Sequence, residues 1–244
     1  MKFPFKAVLF DWAYTLTDFV DEDNSKGFEK LSDFMENLGI ELGNFRSDYP
    51  EPLKLFNEMI SKSKECHLEA CFDKALNYLL FYFNIKIEGK TTLDELMETY
   101  YKELIKPRKL YLDVKPTLIA LQNRDIKMGI ISNTTTPAFM KHFERKSLEI
   151  DSYFDFSIYS SEFPFRKPHP SIFKLALERL GLPPEETLYV GDNLIDDVSG
   201  SMGVGIRSAW LNRDGVVNDK GIQPDYEIGS LEEILALENP VKTL

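Results

Sequence analysis

Cysteine is scarce in this chain of 244 residues, which has only Cys66 and Cys71. Two thiols five positions apart, in what reads as one helical stretch, make no disulfide framework, and no further cysteine is available to complete one. With Glu65, His67 and Glu69 the same stretch lacks the ligand spacing of a zinc site, so an ordinary helix carrying two partly buried thiols is expected. No run approaches the roughly 20 apolar residues of a membrane helix, and Met1 to Phe10 is too short and too soon followed by charge to read as a secretory leader. Basic residues are outnumbered: 29 Lys and Arg face 40 Asp and Glu, for a net charge of -11. That balance argues against a nucleic-acid partner, whose phosphates are met by clustered cations. A small phosphorylated ligand, needing only a few local donors and a metal, is compatible with it. Repeats and low-complexity tracts are absent as well. The expectation is a reduced, cytoplasmic protein with neither nucleic-acid nor membrane partners.

Apolar residues are plentiful. They make up 43% of the chain, and aromatics 13%, enough for a full core. Lys6 to Asp11 is a short apolar run ending abruptly at an acid, as in a strand buried on both faces of a parallel sheet. Met128 to Ser132, Thr187 to Asp192 and Arg207 to Leu211 read the same way, and Phe154 to Tyr159 is a weaker fifth. Helical patterns separate most of these runs. One carries Leu118, Leu121 and Gln122; another carries Ile172, Phe173, Ala176, Leu177 and Leu180 and should end at Gly181 in a left-handed cap. Strands alternating with helices predict an α/β fold whose open parallel sheet has five or six strands joined by right-handed crossovers.

Between residues 20 and 110 the strand signal disappears. Phe28, Leu31, Phe34, Met35 and Leu38 recur at helical spacing. So do Leu93, Leu96, Met97, Tyr100, Tyr101 and Leu104, behind a Thr92–Glu95 capping box. Stretches 51–65 and 68–84 follow the same period. The chain therefore divides into an α/β core, residues 1–18 and 110–244, and an all-helical insertion, residues 19–109, with a return hinge around Lys106, Pro107 and Lys109. Trp12, Trp210 and the aromatic segments 81–83 and 100–101 are expected in packing rather than recognition.

In an open parallel sheet, ligands bind beyond the carboxyl ends of the strands, near the point where strand order reverses. The polar residues that end the apolar runs are Asp11, then Ser132 with Asn133 and Thr134, then Asp192, with Asp196 and Asp197 one turn later. Lys167 lies in the loop Phe165-Arg166-Lys167-Pro168 before a helix. Taken singly, a strand-end Asp caps the next helix, Ser132 is a helix N-cap, and a loop Lys is solvated. Taken together and in this order, chance is a poor explanation.

The segments Phe10-Asp11-Trp12-Ala13-Tyr14-Thr15-Leu16, Ile131-Ser132-Asn133, Arg166-Lys167-Pro168 and Gly191-Asp192 through Asp197 resemble the four ordered motifs of the haloacid dehalogenase superfamily. Gly205 to Arg213 and Pro224 to Leu231 resemble the strand and ending that follow them, so the likeness covers essentially the whole core. The insertion resembles that family's cap in position and character only. The resemblance implies a hydrolase with a Rossmann-like core and Asp11 as nucleophile. It implies Mg²⁺ held by Asp11, the Ala13 carbonyl and Asp192, with Asp197 (or its neighbour Asp196) orienting the ligand shell. Lys167 would sit between nucleophile and phosphate, and Ser132 and Asn133 would bind the phosphoryl oxygens. The implied partner is a small phosphorylated metabolite, cleaved through an aspartyl phosphate. A carboxylate nucleophile divides one hard step into two easier ones, and hard oxygen ligands suit magnesium.

One position departs from the pattern. Most phosphatases of the superfamily carry a second Asp two residues after the nucleophile, where this chain has Ala13, and Tyr14 replaces the usual glycine. Alanine donates no proton. The chain is then a phosphatase whose acid/base is supplied elsewhere, with Tyr14, Asp18 and His67 as stand-ins, or one acting on substrates that leave easily. Two alternatives within the superfamily are phosphonate hydrolysis, which needs a cap lysine such as Lys54, Lys62, Lys64 or Lys74, and carbon–halogen hydrolysis. A catalytically impaired binding protein is the third.

Overall fold

A computed structural model describes residues 3–19 and 23–238. The chain order is β1 (Ala7–Phe10), β2 (Thr17–Asp18), α1 (Asn24–Asn37), α2 (Phe45–Asp48), α3 (Pro50–Glu65), α4 (Phe72–Tyr82), α5 (Leu93–Leu104), β3 (Lys109–Leu110), α6 (Val114–Gln122), β4 (Lys127–Ser132), α7 (Ala138–Ser147), β5 (Phe156–Tyr159), α8 (Pro170–Leu180), β6 (Thr187–Gly191), α9 (Gly200–Met202), β7 (Arg207–Leu211) and β8 (Tyr226–Ile228). Every residue of β1 and of β6 is buried, which is why both read as unbroken apolar runs rather than alternating ones.

Six strands form one parallel sheet in the order β5-β4-β1-β6-β7-β8. This is the expected α/β, Rossmann-like architecture. From β1 the chain steps to β4 and β5 on one side, then returns to build β6, β7 and β8 on the other. The reversal lies at β1, whose Phe10 pairs with Ile130 of β4 and Val190 of β6. The crevice of such a sheet opens there. One face packs on α6 through Val114, Leu118 and Leu121. The other packs on α8 through Ile172, Phe173 and Ala176. α8 stops at Gly181, whose φ of 63° is the left-handed cap that glycine adopts without strain.

Helices α1 to α5 bury a second core, with Phe28, Leu31, Met35, Leu76, Leu79 and Leu96 in it and Met140 of α7 joining them. The capping box of α5 forms as its sequence predicts: Thr92 accepts from the Glu95 N–H, and Glu95 accepts from the Thr92 N–H. Asp23 caps α1 by accepting from the Ser25 N–H. The chain leaves and re-enters the sheet side by side, because β2 and β3 pair antiparallel, Thr17 with Leu110 and Asp18 with Lys109. Residues 20–22, at the start of the expected insertion, lie outside the described residues.

Two expectations fail. Cys66 and Cys71 do not share a helix: α3 ends at Glu65, α4 begins at Phe72, and the segment between is a loop. His67, with φ of 58°, turns that loop, and Leu68 forms an isolated antiparallel bridge with Phe165. Tertiary pairing overrides the helical period here. Phe81 is not a packing residue either, being 85% exposed, whereas the half-exposed Tyr82 ring lies against Tyr78 and Phe83. Trp12, Trp210, Tyr100 and Tyr101 are buried as expected.

Candidate active site

Three carboxylates converge beyond the ends of β1 and β6. Asp11 follows β1 directly, and its N–H donates to the Val190 carbonyl at 2.9 Å. Asp192 follows β6, and Asp197 comes from a π-helical turn, Leu194–Ser199. Oxygen atoms of the three lie within 4.8 Å of one another. Such turns commonly sit at functional positions; this one aims Asp197 inward and Asp196 outward. Asn193 caps it, donating its own N–H to Asp197 at 3.0 Å while its side chain accepts from the Ile195 and Asp196 N–H groups. Gly191 is required, because a Cβ there would strike the Asp197 carboxyl.

Lys167 is buried among them. Its ammonium donates to Asp11 at 2.6 Å, to Asp197 at 2.6 Å and to the Tyr189 hydroxyl at 2.8 Å. All three N–H bonds are thereby used. The Tyr189 hydroxyl has two acceptors in reach, the Ile131 carbonyl at 3.0 Å and Asp197 at 3.2 Å. Asn133 fixes the lysine backbone from both sides: its Oδ1 accepts from the Lys167 N–H at 2.8 Å, and its Nδ2 donates to the Lys167 carbonyl at 2.9 Å. The same amide group reaches Asp196 at 3.1 Å. Asp196 also faces Arg166 at 3.7 Å, so it stands outside the carboxylate cluster. Ser132 is buried at the end of β4, beside this group.

Burial, and then the carboxylates' mutual repulsion, raises Asp192 to about 7. Burial likewise lifts Asp11 to about 6, although Lys167 pulls it down. Asp11 and Asp197 hold the Lys167 ammonium charged against its burial. Three acids, two buried and Asp192 half-buried, against one cation leave an excess of negative charge, which a further cation relieves. The all-oxygen donor set suits a hard divalent ion. The Ala13 carbonyl is left out of the local bridge, in which Thr17 N–H donates to Trp12 and Tyr14 N–H to Thr17.

The remaining candidates are not part of the carboxylate cluster, although Tyr14 lines a cavity with Asp192. Tyr14, at φ of 58°, lays a half-exposed ring against Phe19. Asp18 lies on the β2–β3 ribbon, and the His67 carbonyl accepts from the Arg166 N–H. Lys54, Lys62, Lys64 and Lys74 are all exposed. Sequence reasoning did not select Tyr189, whose only signal is a hydroxyl inside an otherwise apolar strand. It also did not select Glu69, which accepts from Ser160 at 2.9 Å and pairs with Arg166 at 3.5 Å. Nor did it select the buried Glu144. Glu144 accepts from Arg108 at 2.6 Å, Lys141 at 2.9 Å and Trp12 at 3.4 Å. Arg108 directly precedes β3 and Lys141 lies on α7, so this one carboxylate ties both to the residue following Asp11.

A cavity of about 230 Å³ lies between the helical unit and the loop after β4. Phe56, Phe72, Tyr100 and Tyr101 line it from the helices, and Thr135 and Thr136 from the loop that starts at Ser132.

A haloacid dehalogenase-like hydrolase family profile matches residues 5–201. The chain belongs to the haloacid dehalogenase-like hydrolases. It is 28% identical over 243 residues to a glyceraldehyde 3-phosphate phosphatase of Methanocaldococcus jannaschii, covering 97% of this chain and 98% of that protein. The crystal structure of a phosphatase of the family from Thermococcus onnurineus is 28% identical, with a TM-score of 0.63 over 96% of this chain and 98% of that one. A 2-haloacid dehalogenase from Pseudomonas syringae superimposes with a TM-score of 0.69 over 95% of this chain and 98% of that one; at 23% identity the likeness is one of fold. Among the described residues, no helix is long and apolar enough to cross a membrane.

Proposed function

We propose that this hydrolase is a Mg²⁺-dependent phosphatase of a small phosphorylated metabolite, working through an aspartyl phosphate on Asp11. The observation that carries the reading is the convergence of Asp11, Asp192 and Asp197 around the single ammonium of Lys167. Glyceraldehyde 3-phosphate, named for the archaeal relative, is one natural ester to try. Mg²⁺ would be held by Asp11, the Ala13 carbonyl and Asp192, with Asp197 orienting its shell. When bound, it supplies positive charge against the repulsion between carboxylate and phosphate.

The chain's own residues do the rest. The Asp11 carboxylate attacks phosphorus, and the bond to the leaving oxygen breaks. Lys167 keeps the nucleophile ionised and lends its charge to the transferring group. Ser132 and the backbone N–H groups of its loop bind phosphoryl oxygens as charge develops on them. Asn133 acts by holding the Lys167 backbone in register. Residues 19–109 serve as a cap over a core of 1–18 and 110–244, and closing on the β2–β3 ribbon keeps bulk water from the acyl phosphate. Two unpaired thiols accord with a cytoplasmic setting.

The exposed positions of Lys54, Lys62, Lys64 and Lys74 speak against the phosphonate alternative, which needs a cap lysine near the nucleophile. Turnover of p-nitrophenyl phosphate with and without Mg²⁺ tests the reading. Activity that needs both the metal and Asp11 bears it out; activity indifferent to either overturns it.

A further inference from the structure

The cavity between the helical unit and the β4 loop carries no charge. Among the described residues its wall contains no Asp, Glu, Lys, Arg or His; its polar groups are amides, hydroxyls and the Cys71 thiol. Aromatic faces dominate. Phe72 stacks on Tyr100 with ring centroids 4.5 Å apart, and Tyr101 meets Phe72 edge-on at 5.4 Å. The wall is fixed to the catalytic loop, since the Phe72 N–H donates to the Thr135 carbonyl at 2.9 Å. An apolar cavity of roughly 150 Å³ is enough to hold benzene, so 230 Å³ accommodates one substituted ring. A carboxylate or ammonium entering it would lose its hydration without gaining a charged partner.

Ala13 points the same way independently, because it has no proton to give to a departing oxygen. An alkoxide is about as basic as hydroxide, whose conjugate acid has a pKa of about 15.7, and departs poorly without that proton. A phenolate, with a pKa of about 10 as in tyrosine, departs without it.

We propose that this cavity takes the organic part of the substrate, and that this part is uncharged and aromatic, making the substrate a small aryl phosphate. The inference rests on the phosphatase reading above. In the first step an Asp11 oxygen bonds to phosphorus, the phosphorus–aryl oxygen bond breaks, and its electron pair leaves on the phenolate. In the second step water attacks the aspartyl phosphate and the bond to Asp11 breaks. The proton that water releases balances the phenolate, giving a phenol and inorganic phosphate.

The test measures kcat and KM, with Mg²⁺, for phenyl phosphate, glyceraldehyde 3-phosphate, phosphoglycolate, phosphoserine and acetyl phosphate. Acetyl phosphate controls for leaving ability, since it departs easily and has no ring. The wild type is compared with Asn57→Arg, which puts a guanidinium at an exposed position of the wall. The expected result is a KM for phenyl phosphate at least tenfold below that for acetyl phosphate, and a kcat/KM at least tenfold above those of the three alkyl esters. Asn57→Arg should raise the phenyl phosphate KM severalfold and lower that of phosphoglycolate. An alkyl ester that matches phenyl phosphate, or equal KM values for phenyl and acetyl phosphate, overturns the inference and leaves the phosphatase standing. Hydrolysis of none of the five overturns both.

Discussion

The Lys167 ammonium stands 2.6 Å from the Asp11 carboxylate, and no other cation among the described residues touches that group. Asp197 takes a second of its protons at the same distance. One lysine thus serves the acid that follows β1 and an acid of the π-helical turn after β6. Lys167→Met removes the cation from between two buried anions, a change that typically costs about 3–5 kcal/mol. Because the groups are in direct contact, the cost is not additive. Urea unfolding of Lys167→Met, Asp11→Asn and the double variant should give a double-variant loss well below the sum of the single losses; a sum that adds would mean that the pair is not coupled.

Asp11 and Asp192 bind protons more tightly in the folded chain than in the unfolded one, where aspartate titrates near 3.9. Their folded values are about 6 and about 7. Protonation therefore favours the fold, and this contribution is lost as pH rises from about 4 through about 7. A bound divalent cation offsets that loss. Melting curves should show a larger Mg²⁺-induced rise in Tm at pH 7.5 than at pH 5, whereas equal rises would contradict the ionisation order.

Glu144 sits between Arg108 and Lys141 with its side chain 1% exposed. Burial pushes its carboxyl up, but Lys141 and Arg108 more than offset that and hold it below the ordinary range. Glu144→Ala leaves both cations without this anion and should cost about 3–5 kcal/mol, read as a lower urea midpoint. Glu144→Gln keeps the shape and part of the hydrogen bonding, so it should lose less. Equal losses would assign the effect to packing rather than charge.

Ala13→Asp restores a carboxyl where a leaving group would take its proton. General acid–base help is worth roughly 10²–10⁴ in rate, so kcat/KM for alkyl phosphates, which reports departure of the leaving group, should rise by that order while that for aryl phosphates changes little. A uniform rise, or none, would mean that protonation does not limit the alkyl esters.

Strands buried on both faces announce themselves as apolar runs, and the acids at their ends can be read directly; Asp11, Ser132 and Asp192 were legible for that reason. Lys167 was legible as a loop residue, but its burial was not, since nothing local states that Asp11 and Asp197 approach it. The choice between Asp196 and Asp197 depends on a π-helical turn, which one residue of phase decides. Loop 66–71 was misread as helix because its partner, Phe165, lies almost a hundred residues away in sequence. β8 has three residues, too few for a periodic signal, and its Tyr226–Ile228 pairing is fixed only by the neighbouring β7. Glu144 was invisible for a similar reason: Lys141 lies one turn away on the same helix, but Trp12 and Arg108 come from distant parts of the chain.

The most direct test of the central claim is an acid-quenched single turnover with Mg²⁺ and an activated phosphate ester, followed by mass spectrometry of the peptide that holds Asp11. The account predicts that this peptide carries one phosphoryl group, that the group disappears at the rate phosphate is released, and that Asp11→Asn neither carries it nor turns over. Phosphate release at an unchanged rate from Asp11→Asn, or turnover with no phosphoryl group ever found on Asp11, would contradict it.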